Sequence, residues 1–176
     1  MFRVLSPKLR ATKARSFEEA VAVVAVPFNS DRPDGSSDES NKMISAIAHD
    51  FVRLYGLPVY AQRENARVLR EYGIKPAAEY RTMPGQWVQS HVFIRWVSSK
   101  IAKGTKVILV CHPHHARRCS IPAEHYGLVP LVAPSGLVPY DPKGGQWWRR
   151  KMGMYLLWEY AIARPATFLY WLFGKL

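Results

Sequence analysis

The sequence predicts a three-layer, Rossmann-like α/β domain with a mostly parallel sheet of about five strands. Short apolar runs rich in β-branched residues recur along the chain, the pattern of strands buried on both faces. Stretches with helical apolar spacing separate those runs, and a glycine closes most of the stretches.

The first run, VAVVAV at 21–26, is the most uniformly apolar. LPVYA at 57–61 is the second, and a short strand is expected from Ala77 to Arg81. VILVC at 107–111 and LVPLVA at 128–133 follow. Pro130 in the last run has no N–H to give a ladder, which points to an edge position. Between the runs, Ser36 and Glu39 have capping-box spacing ahead of a stripe of Ile44, Ile47, Ala48, Phe51 and Leu54, with Gly56 as C-terminal cap. Glu64 to Tyr72 reads as a short helix closed by Gly73. Val92, Phe93, Trp96, Val97 and Ile101 form another stripe, closed by Gly104. Ala116 to Tyr126 is a fourth helix, ended by Gly127, and a last one runs from about Trp148 to Ala163 before Arg164-Pro165 breaks it.

A length of 176 residues suits one domain with a sizeable core, and 48% hydrophobic residues rules out a disordered chain. The expected organisation is a basic arm at 1–15 and a single α/β domain at 16–176 ending in an aromatic segment. No apolar stretch reaches the roughly 18 residues of a membrane span. The N-terminus lacks the apolar centre of a secretory signal. Cys111 and Cys119 are too few for a disulfide framework, so a reducing, cytoplasmic setting is expected.

The net charge of +12 is uneven. Arg3, Lys8, Arg10, Lys13 and Arg15 meet no acid in the arm, and Arg149, Arg150 and Lys151 stand beside Trp147 and Trp148, while residues 16–100 are balanced. Such patches attract phosphate-bearing partners, whether nucleotide, nucleic acid or lipid headgroup, or simply keep a protein soluble. Phe168, Leu169, Tyr170, Trp171, Leu172 and Phe173 beside Lys175 have the composition of a membrane interface, or of a segment packed on the sheet.

In a parallel α/β sheet, ligands bind beyond the carboxyl ends of the strands, where strand order reverses. That rule selects the loop 27–41, Gln62-Arg63-Glu64, the loop Thr82 to Gln86, and His112 to Arg118. VILVCHPHHARRC is the richest of these: a buried strand runs straight into a helix start carrying three histidines and two arginines. Backbone N–H groups and the positive dipole end suit an anion there. Arginine can clamp it bidentately, and a histidine can move a proton near neutral pH. His115 and Arg118, three apart, share a helix face. Alanine at either is expected to abolish binding and leave stability nearly unchanged. Other readings stay open. Cys111, His112, His114, His115 and Cys119 could bind zinc, although their spacing fits no standard motif. Cys111 could be a nucleophile, or packing at the end of a strand. His112 and His114 could be ordinary surface residues.

Val107, Ile108, Leu109, Val110, His115 and Arg118 fit the pattern V-L-L-V-T-x-x-x-H-x-x-R-A, with Cys111 for the threonine and Cys119 for the alanine. In this the chain resembles the YdcF/SanA/ElyC-like domains of bacteria. Tyr126-Gly127-Leu128-Val129 is similar to that family's G-I-x-V, and Arg150 to Glu159 with Leu169 to Leu172 to its closing helix and tail. The first two loops depart from it: Pro27-Phe28-Asn29-Ser30 replaces a glycine-rich turn, and only Glu64 matches after the second strand. The resemblance implies a Rossmann-like fold linked to envelope metabolism. It implies a small phosphate-bearing or nucleotide-like ligand, with S-adenosylmethionine or an envelope precursor as candidates. His115 is then the acid or base, and Arg118, Asn29, Glu64, Thr82 and His114 bind the ligand, with no metal. A non-catalytic basic module for nucleic acid or an anionic membrane surface is the alternative.

Overall fold

A computed structural model describes residues 17–81, 89–136, 138–163 and 165. The basic arm at 1–15, the loop holding Thr82 and Gln86, and the aromatic segment from Phe168 onward lie outside the described residues. Among the described residues there are five strands: β1 (Ala22–Ala25), β2 (Val59–Gln62), β3 (Ala78–Tyr80), β4 (Lys106–Val110) and β5 (Val129–Val132). They alternate with α1 (Glu39–Tyr55), α2 (Arg63–Glu71), α3 (Ser90–Ser98) and α4 (Ala116–His125), and α5 (Met152–Trp158) follows β5.

The sheet is parallel throughout, in the order β3-β2-β1-β4-β5. Every residue of β1 is buried, and alternate side chains enter opposite layers as period-two geometry requires. Val23 and Ala25 pack with Ile44 and Ala48 of α1, Ala66 and Leu69 of α2, and Tyr155 of α5. Ala22, Val24 and Val26 pack with Phe93, Ile94 and Val97 of α3 and with Ala116, Cys119 and Ala123 of α4. The result is the three-layer, Rossmann-like architecture that the apolar runs predict.

Pro130 does lie on an edge strand. Val129 and Ala133 donate their N–H groups to the carbonyls of Thr105 and Leu109, at 2.9 and 3.0 Å, so the proline nitrogen between them turns to the open side. Two local expectations fail. Ser36 does not cap α1. Its N–H and hydroxyl both bond Asp34 Oδ1, at 2.8 and 2.6 Å, and the Asp38 carboxylate caps instead, accepting from the N–H groups of Ser40 (2.9 Å) and Asn41 (3.3 Å). A continuous last helix is also not formed. Trp147–Arg149 is one 3-10 turn, Lys151 is extended (φ −138°, ψ 142°), and α5 passes into a π-helical stretch at Glu159–Ala163.

The chain builds β2 and β3 on one side of β1, then crosses to lay β4 and β5 on the other. The order therefore reverses between β1 and β4, and the crevice beyond Ala25 and Val110 is where such a fold binds ligands. Phe28 and Asn29 leave one wall, and His112 to His115 leave the other.

Candidate functional site

Phe28 and His112 pack together beyond the carboxyl ends of β1 and β4. Their rings stack with centroids 3.9 Å apart and planes at 17°. His112 is therefore not a surface residue but a buried one, 1% exposed. Its Nδ1 accepts from the His114 N–H at 3.3 Å, which puts the ring proton on Nε2, where the Val138 backbone is its neighbour though no hydrogen bond of good geometry forms. Burial, aided by His114 and Arg149, pushes its pKa down to about 3, so the ring stays neutral. His114 is exposed, and its Nδ1 lies 2.5 Å from the Tyr140 hydroxyl.

His115 is wholly buried. Arg118 Nη2 lies 2.8 Å from its Nε2, and a guanidinium can only donate, so Nε2 presents its lone pair. The Ser90 hydroxyl, at the first position of α3, lies 2.8 Å from the same nitrogen. The ring proton is then on Nδ1, which has no partner among the described residues. Burial, then the charges of Arg118 and Arg149, hold this imidazole well below its ordinary pKa.

Behind the histidines stands a buried ionic group. Arg118 Nη1 lies 3.1 Å from Glu159 Oε2, with side-chain exposures of 12% and 3%. The Tyr155 hydroxyl donates to the same oxygen at 3.0 Å, one helical turn away. Burial raises the Tyr155 hydroxyl, which stays protonated and a donor. The Arg118 guanidinium lies over the Trp158 ring at 5.5 Å, and Trp158 stacks on Trp148 at 5.8 Å. Arg149 is buried over the Phe28 ring, 5.3 Å from its centroid. Burial and the like charge of Arg118 push it down to about 10, so it remains a cation. It does not belong to the outer basic patch that its neighbours Arg150 and Lys151 suggest. Two guanidinium groups thus face one carboxylate.

Asn29 serves the frame of the site. Its carbonyl accepts from Asn41 Nδ2 at 2.7 Å, and its Oδ1 accepts from the N–H groups of Ser30 and Gln146 at 3.0 and 2.9 Å. These bonds tie the loop after β1 to the start of α1 and to the strap Asp141–Gln146. Asp141 bonds Arg32 Nε at 2.8 Å and accepts from the Glu39 N–H at 3.0 Å. Gly144 and Gly145 let the strap lie against the loop. A Cβ on Gly144 would meet Asn29 Nδ2 at 2.0 Å, and one on Gly145 would meet the Asp31 carbonyl at 2.4 Å. Burial, with the Asp141 charge adding to it, pushes the Asp38 carboxyl up to about 6.

The predicted residues therefore divide. His115 and Arg118 touch each other and face the end of β1 through Phe28. His114 stands at the rim on Tyr140. Glu64 has Asp31, Arg63 and Arg67 as its charged neighbours; burial raises its pKa, and its Oε2 is unpartnered among the described residues. Thr82 lies outside the described residues. Full burial of His115 and the buried Arg118–Glu159 pair overturn the expectation that alanine at either leaves stability unchanged. Losing Arg118 strands a buried carboxylate. Cys111 is buried beside Cys119, and the hydrogen bond between the thiols, then burial, raises its pKa well above the ordinary value. That suits packing and not a thiolate nucleophile. Among the described residues no group of three or more His, Cys, Asp or Glu side chains is placed to hold a metal ion.

Sequence reasoning missed Ser90, Tyr155 and Glu159 as site residues. One signal was available for two of them. Glu159 is the single acid beyond Asp141, and Tyr155 precedes it by one helical turn. Ser90 carries no such mark. Comparison of the chain with protein-family models, curated proteins and solved structures gives no match.

Proposed function

We propose that this domain binds a small phosphate-bearing ligand in the crevice between the carboxyl ends of β1 and β4, with Arg118 and Arg149 receiving the phosphate and His115 holding or moving a proton. The observation that carries this reading is the set of unpaired donors on and beside the two arginines. Arg118 Nε, Arg149 Nε, His115 Nδ1 and Trp148 Nε1 are buried without partners among the described residues, whereas the unpaired acceptors Asp38 Oδ2, Gln146 Oε1 and Glu64 Oε2 belong to the start of α1, the strap and α2. Buried donors left unsatisfied cost about 1–3 kcal/mol each, and a ligand consisting of acceptors removes that cost. A phosphate is such a ligand, and it also balances the second guanidinium charge.

The similarity of Val107 to Arg118 to the YdcF/SanA/ElyC-like pattern points the same way, since His115 and Arg118 are the two residues it shares beyond the strand. Among the candidates, nucleotides and isoprenoid phosphates of envelope synthesis fit the cationic lining better than S-adenosylmethionine, whose sulfonium is itself positive. Calorimetric titration with inorganic phosphate, a nucleotide, an isoprenoid phosphate and S-adenosylmethionine tests the reading. The phosphate compounds are expected to bind. The variant Arg118→Gln/Glu159→Gln, which removes both charges of the buried pair together, is expected to bind them about 10–100-fold more weakly. Equal affinity in that variant would refute the assignment.

A second reading, contact with an anionic membrane surface, has its own support. Along α5 and the π-helical stretch after it, Tyr155 and Glu159 are buried, while Met152 (53%), Leu157 (72%), Tyr160 (50%) and Ile162 (55%) are exposed. Trp147 is 59% exposed beside Arg150 and Lys151. Exposed apolar side chains next to cations suit a headgroup boundary. The protein is expected to co-sediment with vesicles containing phosphatidylserine, less so at high salt, and to lose this with Leu157→Glu. Recovery of Leu157→Glu with vesicles at the wild-type level would remove this reading.

A further inference from the structure

We infer that Ser90 is the nucleophile of a phosphoryl-transfer site, with His115 as its general base and Arg118 as the group that holds the phosphoryl oxygens. This deepens the phosphate-binding reading and rests on it. The geometry has three parts. Ser90 Oγ lies 2.8 Å from His115 Nε2, within the reach a base needs to take a hydroxyl proton. The ring is fixed by full burial, and the donor-only guanidinium beside it settles that Nε2 is the lone-pair nitrogen. Ser90 and Arg118 are both partly buried, Arg118 keeping 12% of its side chain exposed, while His115 is wholly buried.

Ser90 and Arg118 both address one lone pair of Nε2, which cannot serve two strong bonds at once. A phosphoryl group arriving on Arg118 takes up the guanidinium N–H groups and leaves Nε2 to the serine. Substrate binding thereby completes the pair, and the added negative charge restores basicity to an imidazole that Arg118 and Arg149 otherwise depress. The first turn of α3 starts at Ser90, and Gln89 makes no side-chain cap bond to it.

The step balances without a redox partner. Ser90 Oγ attacks phosphorus of a phosphate monoester, the Oγ–P bond forms, and the P–O bond to the alcohol breaks. The serine proton passes to His115 Nε2 and on to the departing alkoxide. Water then attacks phosphorus, gives its proton to His115, and the freed Ser90 oxygen takes that proton back. The net change is ester plus water to alcohol plus inorganic phosphate.

Diisopropyl fluorophosphate tests the nucleophile directly, because its phosphorus accepts a serine oxygen as fluoride leaves. Intact mass followed by peptide mapping of the full chain is expected to place one adduct on Ser90. The Ser90→Ala variant should lose the adduct and hydrolysis of p-nitrophenyl phosphate, yet keep inorganic phosphate binding within about twofold of wild type. His115→Gln, close in volume, should slow labelling about 100-fold or more. The labelling rate should be level across neutral pH and fall only in acid, where the depressed imidazole takes a proton. Phosphate binding without any adduct on Ser90 overturns the catalytic inference and leaves the binding reading standing. Failure of both phosphate binding and labelling overturns both. Labelling of Ser90 that is indifferent to His115→Gln removes the base.

Discussion

The Glu159→Gln variant is expected to lose about 3–5 kcal/mol of stability in phosphate-free buffer, the cost of breaking a buried pair from one side. Glu159 is the carboxylate on Arg118, and it accepts the Tyr155 hydroxyl as well. Without its charge, fully buried Arg149 and partly buried Arg118 remain as like charges that repel each other. The same change removes an intrachain competitor for the incoming anion. Inorganic phosphate should therefore restore much of the lost melting temperature, roughly 10 °C for a domain of this size, and raise it more in the variant than in wild type. Thermal unfolding across a phosphate series measures both effects. A variant that melts like wild type, or one that melts early and ignores phosphate, would mean that Glu159 does not hold the place of a ligand.

Gly145→Ala is the second large effect. Its new Cβ would lie 2.3 Å from Ser30 Oγ and 2.4 Å from the Asp31 carbonyl oxygen. The loop backbone beside it is held, because the Asn29 carbonyl accepts from Asn41 Nδ2 and Asn29 Oδ1 accepts from the Gln146 N–H. Overpacking of this kind costs about 1–3 kcal/mol. The strain falls on the loop that carries Phe28, so phosphate affinity should fall alongside stability. Urea unfolding of the variant gives the cost, and an unchanged midpoint would show that the strap does not press on the loop.

The sheet was legible because its strands are buried on both faces. VAVVAV and VILVC carry no solvent face to blur the pattern, and even the edge position of β5 could be read from Pro130. The crevice followed from topology, since alternating strands and helices imply a parallel sheet and a reversal of order. What could not be read was the inward choice among polar residues. His112 looks no different from His114 in sequence, yet the one stacks on Phe28 and the other meets solvent and Tyr140. Arg149 stands in a run with Arg150 and Lys151, and only the 3-10 turn at Trp147–Arg149 sends it inside. Ser36 has capping-box spacing, but a competing bond to Asp34 occupies it. Ser90 sits 25 residues from His115, and no local spacing announces a contact made across two helix starts.

Titration of the protein, labelled with nitrogen-15 in its histidines, with inorganic phosphate reports on the crevice atom by atom. Before phosphate, His115 should appear as a neutral ring protonated on Nδ1. Its two nitrogen resonances should then move saturably, at the concentrations that stabilise the fold, while exposed His114 moves little. Saturable stabilisation with the His115 ring unmoved would put the anion elsewhere on the molecule and contradict binding between β1 and β4.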